Sequence, residues 1–493
     1  VKIRDCLIAL IAGAALTCAF APLGVWPLAI LCPAILMWLW DGSTPRHAAL
    51  TGFCFNAATF GVGTSWMYIG VHDFSGAPVW IAAGLVVGLT GIMAAYHALL
   101  GYLSARFLPR TGAWRWLVGV PALWLIIEWL RGWLASGFPW LALGYTQTDT
   151  WLSGFAPVVG VYGLSALLLT GSGALLALLR GQARVRLYAA LVLFLPWPVG
   201  FALQHVAWTH PAASAISVGV LQGAVPEDLK WQSESAEPTR ILYTQLNEQA
   251  LGQRLIVWPE AALPQIANEI VPYLKQLDAH AQQKGSDVAM GILRSDENDD
   301  YHNSIMVLPR DHDPSFYDKH HLVPFAEFFP VPAYIRSWLR LMNLPYSDFT
   351  PGPANQPAVE AAGTRLALGI CYEDAYGTSD LRAVRESGVL VNVTNDAWFG
   401  HSWARFQHFQ IARMRTLEAR RPLVRAANDG ISALVGPHAE VLAQAEQFKP
   451  TVLKGTVQPR AGLTPFLIFG NWPVVVLGLL GAGLAAGIRR RYP

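Results

Sequence analysis

Thr364-Arg365-Leu366-Ala367-Leu368-Gly369-Ile370 runs straight into Cys371-Tyr372-Glu373-Asp374, and the fold of this chain turns on that stretch. Apolar and small residues fill both alternations of the run, and a polar cluster closes it. That pattern predicts a strand buried on both faces and ending at Cys371. Seven further runs of the same kind are SAISVGVLQG (214–223), RLIVWPE (254–260), DVAMGILR (287–294), NSIMVLP (303–309), GVLVNVTND (388–396), ISALVGP (431–437) and TVLKGTV (451–457). Helical patterns lie between them. The clearest is WARFQHFQIARMRTLEARR (403–421), where Phe406, Phe409, Ile411, Met414 and Leu417 recur at helical spacing and the arginines fall mostly on the other face. Strands alternating with helices predict α/β layers on two sheets across residues 212–458. Residues 310–316 and 343–363, rich in Pro, Asp and Gly, read as loops.

The remainder is different in kind. Hydrophobic residues make up 53% of the chain and charged residues 14%, where soluble domains carry about 25% charged. The deficit is concentrated in residues 1–203 and 466–488. Seven apolar runs, at 5–21, 25–41, 48–70, 78–104, 115–135, 156–179 and 185–203, and an eighth at 468–487, match the length of about 20 residues that a bilayer core requires. Lys2 and Arg4 before the first run would also suit a signal peptide, but another apolar run follows it instead of a polar mature region.

Positive charge alternates along these segments. One set of loops carries Lys2 and Arg4, then Arg46, then Arg106, Arg110 and Arg115, then Arg180, Arg184 and Arg186, with Arg489, Arg490 and Arg491 at the end. The loops near 22–24, 71–77 and 136–155 carry no Lys or Arg. The positive-inside rule makes the basic set cytoplasmic and, after seven crossings, places residues 204–466 outside. The expected architecture is a polytopic α-helical membrane domain of eight transmembrane helices, seven in residues 1–204 and one in 466–488, with an α/β domain at 212–458 between them. A net charge of +2 is too small to suggest nucleic acid as a partner.

Of five cysteines, Cys6, Cys18, Cys32 and Cys54 lie in or beside the apolar runs, where cysteine serves as a small apolar filler. Cys371 stands by itself in the outer segment. Compartments outside the plasma membrane oxidise thiols, so an unpaired cysteine there is a liability unless it does chemistry; the bland alternative is an inert thiol at a strand end. At a strand-to-turn junction it would project from the sheet edge, with the next backbone N–H able to face a substrate oxygen. A thiol near neutral pH also needs a base. His320, His321 and His408 have no evident orienting partner. Glu260, which ends the run RLIVWPE, would sit at the tip of a buried strand and could serve as that base, the alternative being an ordinary loop carboxylate. Lys319 and Glu327 are eight apart in the mostly apolar YDKHHLVPFAE (317–327) and fit a solvated face poorly; a cation there would favour a thiolate and steady an oxyanion.

Glu260, Lys319 and Cys371, in that order and each at a strand end, resemble the catalytic set of the nitrilase (carbon–nitrogen hydrolase) superfamily. With the apolar runs added, the chain is similar over essentially its whole length to the apolipoprotein N-acyltransferase family. The motifs are Trp258-Pro259-Glu260, Lys319 with His321-Leu322-Val323-Pro324-Phe325 and Glu327, Ile370-Cys371-Tyr372-Glu373, Asn395-Asp396-Ala397-Trp398-Phe399-Gly400, and Gly137-Phe138-Pro139-Trp140-Leu141 with Gly144-Tyr145. The resemblance implies a nitrilase-like αββα sandwich and a ping-pong acyl transfer with no cofactor and no metal. In that scheme Glu260 is the base and Cys371 attacks a phospholipid ester, the sn-1 ester of phosphatidylethanolamine. Lys319 and the Tyr372 N–H hold the oxyanion, Glu327 orients Lys319 or the incoming group, and Glu373 shapes the pocket. The acceptor implied is the N-terminal amine of the diacylglyceryl-cysteine of an apolipoprotein, in the last step of lipoprotein maturation, with a monomeric enzyme in the bacterial inner membrane and its catalytic domain in the periplasm.

Both implied substrates keep acyl chains in lipid, since each buried CH₂ is worth about 0.8 kcal/mol. Loops carrying Trp231, Pro345–Tyr346 and Trp398–Phe399 are therefore expected to form an apolar mouth, the alternative being that these aromatics are core or plain surface. Trp140 and Tyr145 are the corresponding expectations on the membrane side, and Glu128 and Arg131, three apart in one apolar run, are expected to pair or to meet a lipid headgroup. Two other classes fit parts of this pattern. A membrane-tethered nitrilase-type amidase would share the Glu–Lys–Cys set but release its acyl group to water. A non-catalytic lipid transporter would not need that set at all.

Overall fold

In the computed structural model, which describes residues 2–74, 76–324, 326–328 and 349–491, the strand before Cys371 spans Thr364–Ile370. It belongs to a six-stranded sheet in the order Val441–Gln444, Ala433–Val435, Leu423–Ala427, Val389–Thr394, Thr364–Ile370, Val359–Ala361. A second six-stranded sheet runs Thr451–Val457, Ile216–Gln222, Leu255–Trp258, Asp287–Ser295, Tyr301–Leu308, Ser315–Asp318. The central strands of each sheet are parallel and the outer ones antiparallel.

One core lies between the sheets. Val218, Val220, Leu255, Val257, Ala289, Ile305 and Val307 from one meet Leu366, Leu368, Ile370, Val391, Val393, Val424 and Ala426 from the other. The alternate residues of the second sheet, Leu221, Ile256, Trp258, Val288, Met290 and Ile292, form a second core with helices Ala236–Ala250 and Val271–Gln283. Burial on both faces is why these strands read as unbroken apolar runs rather than alternating ones. Four strands escaped the sequence reading. Ser315–Asp318 and Val359–Ala361 fall largely in stretches expected to be loops, and Leu423–Ala427 and Val441–Gln444 carry polar residues that mask the pattern. These strands, with helices on the second sheet, form the α/β sandwich. They belong to a unit comprising Trp208–His401 and Ile411–Leu463.

The other unit comprises Val1–Ala207, Ser402–Gln410 and Thr464–Pro493. Its helices include Ile3–Leu16, Leu28–Trp40, Pro45–Gly63, Val79–Phe107, Val120–Arg131, Ala156–Arg180, Ala183–Phe194, Pro196–Gln204 and Trp472–Arg491. Four helical stretches among the described residues are long and apolar enough to cross a membrane: Val79–Phe107, Trp151–Arg180, Ala183–Gln204 and Trp472–Arg490. Leu28–Trp40 is apolar but shorter. Small residues let these helices touch backbone to backbone. A Cβ on Gly13 would lie 1.9 Å from the Phe55 carbonyl oxygen, and one on Gly52 would lie 2.3 Å from that of His97.

The expected Glu128–Arg131 pair does not form. Glu128 accepts from the Ser165 hydroxyl, and Arg131 donates to the carbonyls of Phe138 and Trp140 at 2.6 and 2.7 Å. The Gly137–Leu141 turn, whose Gly137 and Leu141 both have positive φ, presents carbonyls that satisfy a guanidinium better than one carboxylate three residues away. The helix expected at 403–421 spans Ala404–Ala419, but its polar side is not solvated: Arg405, Gln407, His408, Gln410 and Glu418 are all buried. Gln407 shows how this is tolerated. Its oxygen accepts from the indoles of Trp66 and Trp140 at 3.1 and 2.7 Å, and its amide donates to the Gly63 carbonyl at 3.2 Å.

Candidate active site

Glu260 and Cys371 each follow the carboxyl end of a central parallel strand, one in each sheet of the sandwich. Pro259-Glu260 can turn off its strand because the neighbouring strand carries Gly291, where any Cβ would stand 2.3 Å from the Pro259 carbonyl oxygen and 2.6 Å from the Glu260 Cα. Cys371 opens a short 3₁₀ turn, Cys371–Ala375, with φ of 51°, in the left-handed region that a non-glycine residue rarely occupies. Strain of this kind at a strand-to-turn junction is characteristic of exposed nucleophiles.

Lys319 joins the pieces. Its side chain is 1% exposed, and its ammonium donates to Glu327 Oε1 at 2.8 Å and to Glu260 Oε1 at 3.2 Å. Burial alone would push this lysine down, but the Glu260 and Glu327 carboxylates, with Cys371, override it and hold the ammonium well above its ordinary range. Glu260 Oε2 accepts from the backbone N–H of Asn395 at 2.9 Å, and Glu327 Oε2 from that of Val323 at 2.8 Å. Burial, then Glu260 and Asp396, push the Cys371 thiol well above its usual value; Lys319 and a hydrogen bond with Thr394 act the other way.

Glu373 ties the Lys319 loop to the Cys371 strand. Its Oε1 accepts from the N–H groups of His320 and His321 at 2.8 and 3.2 Å, and its Oε2 from that of Ile370 at 2.8 Å and from the Tyr317 hydroxyl at 3.0 Å. Burial, then Asp380, push its carboxyl up to about 7. Tyr372 is buried and meets Tyr376 edge-on at 5.2 Å. His321 stacks on Tyr376 at 4.1 Å, and burial with His320 beside it pushes its imidazole down to about 4, so it stays neutral near pH 7. Glu260, Lys319, Glu327, Cys371, Tyr372 and Glu373 are thus brought together in one place.

Trp231 is 47% exposed, and Trp398 and Phe399 are half-buried in the turn Asp396–Phe399. Trp140 and Tyr145 are buried within the helical unit. Phe325, Pro345 and Tyr346 lie outside the described residues.

Three polar residues of the site escaped the sequence reading. Asn303 donates through one amide nitrogen to Glu260 Oε1 at 2.8 Å and to Glu327 Oε1 at 2.9 Å. Asn392 donates to the Cys371 carbonyl at 3.4 Å. Arg425, fully buried, binds Asp374 at 3.1 Å and Asp396 at 3.2 Å and also reaches Asn392, bracing the turn that carries the thiol. The available signal was a polar or charged residue inside an apolar strand, since such a group must find partners when the strand is buried. Among the described residues no cluster of His, Cys, Asp and Glu could hold a metal ion.

The chain has known relatives. Residues 12–175 match the family model of the apolipoprotein N-acyltransferase N-terminal domain, and residues 218–465 match that of the carbon–nitrogen hydrolases. The apolipoprotein N-acyltransferase of Methylococcus capsulatus is 40% identical over 487 residues, covering 98% of this chain and 96% of that protein. That of Nitrosomonas europaea is 38% identical over 480 residues, covering 96% of this chain and 95% of its own length. The solved structure of the C. elegans NitFhit protein aligns with 50% of this chain and 61% of its own, at 18% identity and a TM-score of 0.39.

Proposed function

The chain belongs to the apolipoprotein N-acyltransferase family, acyltransferases of the carbon–nitrogen hydrolase superfamily, and from that premise we propose that it moves an acyl chain from a phospholipid to a lipoprotein amine through a thioester on Cys371. The observation that carries the reading is the buried Lys319 ammonium held between Glu260 and Glu327 and felt by Cys371. Because the thiol is held protonated, its proton must pass to Glu260 as sulfur attacks the ester carbonyl. A C–S bond forms, and the carbonyl π electrons move onto oxygen, where Lys319 and the Tyr372 N–H face the negative charge. The ester C–O bond breaks, and the leaving lysophospholipid oxygen takes the proton from Glu260. The acceptor amine then attacks the thioester, giving its proton to Glu260. A C–N bond forms, the C–S bond breaks, and the proton returns to sulfur. Glu327 holds Lys319 in place, and Glu373 fixes the two loops against each other.

The donor in this reading is phosphatidylethanolamine, cut at its sn-1 ester, and the acceptor is the N-terminal diacylglyceryl-cysteine of an apolipoprotein. All eight apolar segments cross the bacterial inner membrane, with residues 1–204 and 466–488 as the membrane domain and 212–458 in the periplasm. Four long apolar helices support this, as do exposed Trp80, Val87, Leu187, Phe194, Leu477 and Leu480, a surface suited to lipid rather than water. Trp231, Trp398 and Phe399 contact the lipid substrates, and the protein works as a monomer.

The test uses purified protein and phosphatidylethanolamine labelled in its sn-1 chain. Label should appear on protein, leave with hydroxylamine and vanish in Cys371→Ser. A diacylglyceryl-cysteine peptide should then receive it on its amine. Wild-type protein that takes no label sinks the proposal, and release only as free fatty acid would make the protein a hydrolase.

A further inference from the structure

Trp231 is half exposed, yet two separate routes connect it to Glu260, one to its carboxylate and one to its backbone carbonyl. Along the first, its indole N–H donates to Glu227 Oε1 at 2.7 Å, and Glu227 Oε2 accepts from the Asn395 side-chain amide at 2.6 Å. The backbone N–H of the same Asn395 donates to Glu260 Oε2 at 2.9 Å. Along the second, the Lys230 ammonium lies 5.3 Å from the centre of the Trp231 ring and 3.4 Å from the Glu260 carbonyl oxygen. Glu227 and Lys230 are both buried, on the one-turn helix Glu227–Lys230. Burial pulls the Lys230 ammonium below its usual range, against the opposing influence of Glu227, Glu260 and Asp429. The far side of Asn395 is pinned too, because its Oδ1 accepts from Asn428 at 3.2 Å and Asn428 donates to the Val225 carbonyl at 2.7 Å.

Buried charges of this kind are costly unless each is paired. Here the pairing closes a ring: Trp231, Glu227, Asn395, Glu260, Lys230 and back to Trp231. From this geometry we infer that Glu227 is a positioning residue for the reaction, and that with Lys230 it holds the carboxylate of Glu260 in line and locks the Trp231 indole to it. Glu227 touches none of the reacting atoms and acts through Asn395. The inference rests on reading Glu260 as the proton-transfer group. Anything that moves the Trp231 ring is then felt at Glu260 through two residues rather than through bulk packing.

The test follows acylation of full-length protein in detergent micelles by phosphatidylethanolamine with a labelled acyl chain, recording the rate at saturating donor and the thermal midpoint. Glu260→Gln tests the underlying reading: if it acylates at the wild-type rate, that reading fails whatever Glu227 does. With Glu260→Gln inactive, Glu227→Gln and Asn395→Asp should each slow acylation at least tenfold, the first by replacing an acceptor with a donor and the second by setting two carboxylates face to face. Combined, the two restore the contact with its polarity reversed, the new amide donating to the new carboxylate, and the rate should return to within threefold of wild type. A merely structural contact would move the thermal midpoint and leave the saturating rate of the folded fraction unchanged. Single variants at the wild-type rate, or a folded double variant as slow as the slower single, would overturn the inference. Should the buried substitutions fail to fold, Trp231→Phe at its half-exposed position keeps an aromatic ring and removes the N–H donor. It should slow the saturating rate at least threefold, and an unchanged rate there overturns the inference equally.

Discussion

A lysine ammonium with almost no access to water must find its counter-charges in the protein, and Lys319 finds Glu260 and Glu327. Removing one member of such a buried set leaves the rest uncompensated, at a cost of about 3–5 kcal/mol. Lys319→Met should therefore lower the thermal midpoint and abolish acylation. Adding Glu327→Gln should recover much of the stability and none of the rate. A double variant that recovers activity would show that Lys319 is structural only.

Glu373 gives a pH dependence of opposite sense to most carboxylates. Its carboxyl moves from an ordinary value near 4.5 to about 7 in the fold, so between those values the folded state binds the proton and the unfolded state does not. Stability then falls as pH rises from about 4.5 to about 7 and is level above, a swing on the order of 3 kcal/mol. Comparing thermal midpoints of wild type and Glu373→Gln across that window isolates this contribution, because the opposing one from His321, lost as pH falls from about 6.5 towards 4, is common to both. The advantage of wild type over the variant should shrink with rising pH and stop changing above about 7; an advantage that grows instead would reverse the assignment.

Glu260 and Cys371 were legible because each follows an apolar strand, where a polar residue needs a reason to be, and Lys319 because it is a cation in a mostly apolar stretch. Asn303 and Arg425 were not, although they obey the same logic. Each is a single polar group within a strand, and its partners come from other strands whose register only the fold supplies: Arg425 lies opposite Asn392 in the parallel pair.

At the scale of elements, the sandwich was readable where strands are buried on both faces and unreadable where they are short, as at Val359–Ala361, or exposed on the edge, as at Val441–Gln444. The helix Ala404–Ala419 misled for a related reason. A helical stripe of apolar residues predicts one buried face, but this helix is buried on nearly every side, so its polar residues are paired inside the protein. Gln407→Leu should remove the acceptor that the Trp140 indole N–H meets at 2.7 Å, at a cost of about 1–3 kcal/mol, and lower the thermal midpoint, whereas Gln407→Glu, which keeps an acceptor, should lower it less. The strand Asp287–Ser295 carries a tighter constraint. Gly291→Ala forces the Pro259–Glu260 backbone outward, and the acylation rate should fall at least tenfold while the helical content seen by circular dichroism is unchanged.

At the scale of the whole molecule, the charge pattern of the loops gives an orientation that can be checked in cells. With Cys371 replaced by Ser, a cysteine introduced at Glu297, on the exposed tip beside the Asp287–Ser295 strand, should react with a membrane-impermeant maleimide in intact spheroplasts. One introduced at Arg110 should react only after permeabilisation. The reverse result would invert the topology. What composition could not supply was helix length. Several apolar runs of bilayer-spanning length fold as shorter helices, such as Ile3–Leu16 and Leu28–Trp40, because prolines and turn residues interrupt them.

The surroundings of Cys371 have a further consequence, for its chemical lifetime. Oxidants attack the thiolate, and susceptibility follows thiolate character and exposure. Burial, Glu260 and Asp396 all keep this sulfur protonated. The setting that makes the thiol a weak nucleophile at rest therefore shields it from sulfenic acid formation and from stray disulfide exchange. In the proposed mechanism, reactivity arises only when an ester carbonyl is in place to accept the sulfur as its proton departs. On the proposed periplasmic placement, a lone cysteine persists in an oxidising compartment because its activation is conditional on substrate.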